Sequence, residues 1–257
     1  ALYERFMTDQ QQMLNLLSDL LAKAKRAGAD TADAVLFESV SLSHARRLGK
    51  TEKLERSESY DLGLRVFVGK RQAIVSSNDR SKEALDGLVE RALAMAKVVP
   101  EDPFCGLADP AEIAREWPAL DMLDPEEPSA ETLIARAAAC EDAAMAVKGV
   151  TNSEGAEASW SRSTVALAAT NGFAGTYAGS GHSVSAAVLA GTGTAMERDY
   201  DFSSAVYGAD LQDPAAVGRS AGERAVRRLG ARKMPTRQVP VVYDQRVARS
   251  LVGHLLG

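Results

Sequence analysis

Cysteine is nearly missing from this sequence. Cys105 and Cys140 are the only two in 257 residues, too few for a disulfide framework or a cysteine-built zinc site. Cys140 falls in an alanine-rich helical pattern, where a thiol acts as a small core residue. Long apolar runs are absent as well: none approaches the roughly 20 residues that span a bilayer, and the N-terminus lacks a basic region followed by an apolar block. Neither a membrane nor a secretory destination is indicated, and the expected location is the cytoplasm. Positive charge is not in excess. A formal charge of −5 and a pI near 5.4 give no global attraction to nucleic acid or anionic lipid. What is present is apolar content, 46% of residues, which suffices for one large or two ordinary cores, so two domains are expected.

Met13, Leu16, Leu17, Leu20, Leu21 and Ala24 recur at helical spacing until Gly28, and Thr8-x-x-Gln11 has the form of a capping box. Asp33 to Ser43 reads as a strand buried on much of both faces. A charged stretch from Arg46 to Ser59 follows without an assigned element. Leu62 to Val68 and Gln72 to Ser77 flank Gly69-Lys70, a pair suited to a type II′ hairpin. Leu85, Leu88, Val89, Leu93 and Ala96 describe a second helix, closed before Pro100. Six of the nine prolines lie between Pro100 and Pro128, so no long element crosses that region, although Asp109-Pro110 can cap a short helix.

Ser129 caps the next helix, with Leu133, Ala137, Cys140 and Ala144 as its apolar stripe. Val150 to Tyr207 is the longest strand-like region. There Asn171-Gly172 accepts the positive φ values of a two-residue primed turn, and Gly191-Thr192-Gly193 returns the chain into Met196 to Tyr207. Asp213-Pro214 opens a helix reaching Gly230, Val239 to Tyr243 reads as a short strand, and Val247, Leu251 and Leu255 start a last helix. The expected fold class is α+β. It comprises two helix/antiparallel-sheet/helix units in tandem, at residues 7–99 and 129–235, separated by a Pro-rich linker at 100–128. Residues 236–257 begin a third, mostly absent domain.

Several constellations invite chemistry and carry little. His182 sits in Gly179-Ser180-Gly181-His182-Ser183, yet no Gly-x-Ser-x-Gly elbow precedes a helix there. His44 reads as an ordinary residue. The glycines near 179 and 191 run into more strand, where a phosphate cradle needs a helix N-terminus, so they serve bends and close backbone approach. Glu197, Asp199 and Asp201 point to one side of a strand and read as an exposed face before they read as ligands. Arg219, Arg224, Arg227, Arg228, Arg232, Lys233 and Arg237 read as a solvated basic surface.

From the first helix through the Leu62 to Asn78 hairpin to the segment Val239 to Gly257, the chain resembles the TldD/PmbA family, and more closely its PmbA (TldE) branch, known as modulators of DNA gyrase. In the TldD branch the helix matching the terminal one carries a His-Glu-x-x-x-His motif that holds the divalent metal of a peptidase. Here those positions are Arg249-Ser250-Leu251-Val252-Gly253-His254. A peptidase metal needs neutral imidazoles and a carboxylate base. Arg249 puts a permanent cation where the first imidazole belongs, Ser250 removes the base, and His254 alone remains.

The resemblance therefore implies a metal-free partner subunit of a heteromeric peptidase acting on unfolded or peptide substrates. The divalent metal, zinc by expectation, would reside in a TldD-like partner; self-association stays open. No catalytic or metal-ligating residue is assigned to this chain, and the substrate-binding strand edge is not located. The rival readings are a stand-alone metallopeptidase with ligands in the absent C-terminal region, and a non-enzymatic regulator of a toxin, antitoxin or topoisomerase.

Overall fold

The structure, a computed structural model, describes residues 2–257, with side chains from Gln10 onward. Helix α1 (Leu2–Arg26) buries Met13, Leu17, Leu20, Leu21 and Ala24 along one stripe. It begins well before Thr8, so Thr8 lies inside the helix and does not open it, and its side chain lies outside the described residues. Strands β1 (Thr31–Arg47), β2 (Lys50–Val68) and β3 (Arg71–Ser77) form consecutive antiparallel hairpins, followed by α2 (Lys82–Val98). After the Pro-rich region come α3 (Ala130–Met145), β4 (Val150–Ala169), β5 (Ala174–Ala190), β6 (Glu197–Ala205), α4 (Pro214–Arg227) and α5 (Gln245–Leu256).

The two helix–sheet–helix units share one sheet. Its order is β3-β2-β1-β4-β5-β6, antiparallel throughout, because β1 pairs with β4 from Asp33↔Ala169 to Arg46↔Ala156. Alternation then decides the layers. Ala34, Leu36, Leu64, Val66, Ala166 and Ala168 point inward and pack against α1 and α2. Further along the same face, Ala156, Val184, Ala186 and Val188 meet α3 and α4, while Leu42, Ala158 and Trp160 meet Leu133 and Ala137 of α3. Among the described residues the opposite face carries no helix. Val35, Phe37, Leu167 and Tyr177 stay exposed there, so β1 is buried on one face only, where the sequence pattern pointed to both.

Helices α3 and α4 touch backbone to backbone: a Cβ on Gly218 would stand 1.9 Å from the Cys140 carbonyl oxygen. Ser129 caps α3 and Asp213 caps α4, with Pro214 in its first turn. The Gly69-Lys70 hairpin forms as a two-residue turn, and Gly69 has φ 58 while Lys70 does not go positive, the sign pattern of type II′. The second hairpin also turns at Asn171-Gly172, but not as the expected two-residue primed turn: only Gly172 (φ 99) is left-handed, and Ala169 N–H donates to the Phe173 carbonyl at 2.9 Å across a three-residue loop.

Three further expectations differ. The charged stretch after Arg46 is the tip and returning strand of the β1–β2 hairpin, closed by Leu48 (φ 48) and Gly49 (φ 79). Asp109 tightens only a turn, its side chain accepting from Ala111 N–H at 2.8 Å, and no helix follows. Val239 to Tyr243 forms no strand; every residue in it is exposed and no neighbouring strand meets it.

Candidate functional site

Helix α5 starts at Asp244, whose carboxylate accepts from Arg246 N–H at 2.9 Å. Arg246 then reaches back to the sheet. Its Nη1 donates to Asp199 Oδ1 at 3.0 Å and to the Tyr200 carbonyl at 2.9 Å, and the guanidinium lies 5.0 Å from the Tyr200 ring centre. Beyond this tether Arg249, Ser250 and His254 are exposed. Ser250 Oγ is spent on the Val247 carbonyl at 2.6 Å.

Among the described residues no group of three or more His, Cys, Asp or Glu side chains comes together. A divalent metal does not fit the motif positions: one imidazole, one hydroxyl and one guanidinium offer neither the ligand number nor the charge such an ion needs.

Glu197, Asp199 and Asp201 do fall on one side of β6, but not as an exposed face. Asp199 is buried and held by Arg246 and by Arg228 at 3.3 Å. Burial alone would push its carboxyl up; the Arg246 and Tyr200 N–H donors outweigh that and hold it below the ordinary carboxylate value. Asp201 takes a hydrogen bond from Ser220 and stands 3.4 Å from Arg224. Asp199 and Asp201 already have cations, so they dock α4 and α5 rather than ligate a metal. Arg219, Arg227, Arg232, Lys233 and Arg237 remain solvated.

The Pro-rich region does more than link. Residues 117–124 wrap the half of β5 that β6 leaves unpaired, since β6 begins its ladder only at His182. Trp117 lies over Gly175, where an added Cβ would be 3.0 Å from the indole. The Met122 carbonyl accepts from Ser180 N–H at 2.8 Å, and Asp124 N–H donates to Ser180 Oγ at 2.7 Å. On the inner side Asp124 accepts from Gly208 N–H at 2.8 Å, and its Oδ2 stands 3.0 Å from Nε2 of buried His182, without the alignment of a hydrogen bond.

Burial lowers the His182 pKa; Asp124 opposes that shift and Arg136 adds to it. Asp124 would itself be raised by burial, but the Gly208 and Glu126 N–H groups and His182 pull it below its ordinary value.

Between this strap and the helix-free face lies a groove of about 570 Å³. Val165 and Leu167 form its floor; Trp117, Leu120, Phe173 and Tyr177 form its walls. Tyr177 is its sole titratable side chain, so its chemistry is apolar contact, not proton transfer.

Residues 123–229 match the PmbA/TldA metallopeptidase central domain, and residues 32–96 match PmbA/TldA metallopeptidase domain 1, together about two thirds of the chain. The chain belongs to the PmbA/TldD metallopeptidase family. It is 34% identical over 238 residues to the metalloprotease PmbA of Escherichia coli O157:H7, covering 92% of this chain and 52% of that protein. To a PmbA homologue of Haemophilus influenzae it is 30% identical, covering 95% and 54%. The chain thus spans about half the length of these curated relatives.

Two solved structures share the fold. One, from Bacteroides thetaiotaomicron and described as a modulator of DNA gyrase, has TM-score 0.80 at 23% identity, covering 86% of this chain and 51% of that one. The other, TldE from Thermococcus kodakarensis, has TM-score 0.69 at 17% identity, covering 83% and 47%. No described helix of this PmbA/TldD-family chain is long and apolar enough to cross a membrane.

The strap and groove were not read from the sequence. Their signal was there: Trp117, Leu120 and Met122 are large apolar side chains inside a region that proline made look like a solvated linker.

Proposed function

We propose that this chain is the PmbA/TldE-type subunit of a two-subunit metallopeptidase acting on unfolded or peptide substrates, with a TldD-type chain supplying the divalent metal, zinc by its chemistry. The observation that carries the reading is the state of α5. At the motif positions a guanidinium, a hydroxyl and one solvated imidazole stand on a helix tethered through Arg246, with no carboxylate at hand to take a proton from a bound water. Its own contribution is then to hold substrate. The groove beneath the strap is lined for apolar side chains of an extended peptide, and it lies on the face of the sheet that the helices leave open.

The test is to purify the chain with and without a TldD-type partner and follow cleavage of an unfolded protein. The two chains are expected to co-elute, with cleavage by the mixture exceeding that of the TldD-type chain alone. Equal rates from the TldD-type chain alone, or separate elution, overturn the assignment.

A further inference from the structure

Strand β2 has two halves. From Leu62 to Val68 it is flanked by β3, but from Lys50 to Asp61 its outer edge pairs with no described strand, and every residue there is exposed. Such an edge presents a row of free N–H and C=O groups, and charge on it ordinarily deters pairing with another chain. The charges here are ordered so that the strand is complementary to itself. A register shift near Ala45/Arg46 interrupts the ladder with β1, so the regular free edge runs from Lys53 to Asp61, and its midpoint is Ser57.

Let a second copy pair antiparallel about a two-fold axis at Ser57. Lys53 then faces Asp61, Leu54 faces Tyr60, Arg56 faces Glu58, and Glu55 faces Ser59. Opposite charges meet twice in each half, and two exposed apolar side chains, Leu54 and Tyr60, cover each other. Neighbouring registers fail. An axis at Arg56 sets that arginine against its own copy, and an axis at Glu58 opposes two glutamates and also Glu55 to Asp61. An axis at Leu54 draws residues beyond the register shift into the ladder and leaves Ser59 to Asp61 unpaired. Directly opposed residues must share a face of the sheet, which removes every axis between residues.

We infer that the free edge of β2 pairs with the same edge of a second copy of this chain, antiparallel about Ser57, joining two six-stranded sheets into one. In the single chain Lys53 is paired along the strand with Glu55, and Arg56 with Glu58 and Glu127; in the pair Lys53 turns to Asp61, and Arg56 to Glu58, across the new ladder. This surface is separate from the groove and from α5. A chain that self-pairs through β2 yet ignores a TldD-type partner would keep this inference and sink the proposed function.

Cross-linking in the full-length protein reads the register directly. At the axis the two Ser57 Cα atoms are about 4.5–5.5 Å apart, within disulfide range. The two Ser59 positions are displaced by four residues, about 13 Å along the strand. Ser57→Cys is expected to give a covalent dimer under mild oxidation, while Ser59→Cys and Leu54→Cys do not, and the buried Cys105 and Cys140 add no background. Lys53→Glu with Arg56→Glu is expected to abolish self-association, as is Glu58→Arg with Asp61→Lys, and mixing the two variants is expected to restore a dimer. Equal cross-linking at residues 57 and 59, or association unchanged by either charge reversal, overturns the inference, as does wild-type protein that stays monomeric and yields no Ser57→Cys dimer.

Discussion

Glu141 shows how one buried carboxylate organises a distant turn. It belongs to α3, yet it accepts from Leu48 N–H at 2.7 Å, Gly49 N–H at 3.0 Å, Ser153 Oγ at 2.6 Å and Arg46 Nε at 3.0 Å. Leu48 pays about 1–2 kcal/mol for its left-handed backbone, and these bonds hold it there. Burial alone would raise the Glu141 pKa; the donors, Ser153 first, outweigh it and leave it below the ordinary 4.5. Its contribution to stability is therefore present above pH 4.5 and is lost as pH falls through the lower folded value. Glu141→Ala is expected to destabilise by about 1–3 kcal/mol, because Ser153 and the Leu48 and Gly49 amides lose their acceptor while Arg46 keeps Asp142 at 2.6 Å. Denaturant unfolding checks the loss.

His182 works in the other part of the pH scale. Burial lowers its pKa from 6.5, so the folded protein binds fewer protons than the unfolded chain between the lowered value and 6.5. That contribution is intact above pH 6.5 and drains away as pH falls through the folded value. His44, lowered by burial and by Arg46, acts with the same sign. His182→Gln is expected to flatten the decline of melting temperature over that window; an unchanged slope would remove His182 from the explanation.

At the scale of elements, close approach between α3 and α4 is the most exacting contact. Gly218→Ala places a methyl group 1.9 Å from the Cys140 carbonyl oxygen, so the helices must separate, at roughly 1–3 kcal/mol or more. A melting temperature equal to wild type would contradict that packing. The helices themselves were legible in the sequence because their caps and apolar stripes are local: Ser129, Asp213 and the Leu85 to Ala96 spacing needed no knowledge of neighbours. The positions of the hairpins at Gly69-Lys70 and Asn171-Gly172 were legible for the same reason, although the second closes as a three-residue loop with only Gly172 left-handed.

The β1–β2 tip was not, since its turn uses a leucine in a conformation that glycine or asparagine usually takes and is fixed by Glu141, far along the chain. Val239 to Tyr243 erred in the other direction: it has strand propensity, but a strand requires a partner and finds none. The candidate site divides likewise. Arg249, Ser250 and His254 were readable as residues on a helix, whereas the strap and groove depend on how 117–124 folds round β5.

On the scale of the whole molecule, one antiparallel sheet carries four helices on one face and leaves the other open. On α5 Arg249, Ser250 and His254 are exposed and Ser250 is bonded to the Val247 carbonyl, and the proposed function on that ground gives binding to this chain and hydrolysis to its partner. Metal content is the most direct check. After incubation with excess zinc and removal of free ion, elemental analysis of the purified chain is expected to find far less than one zinc per chain, and no peptide cleavage by it alone. One tightly held zinc per chain, lost in His254→Ala together with a cleavage activity, would contradict the account.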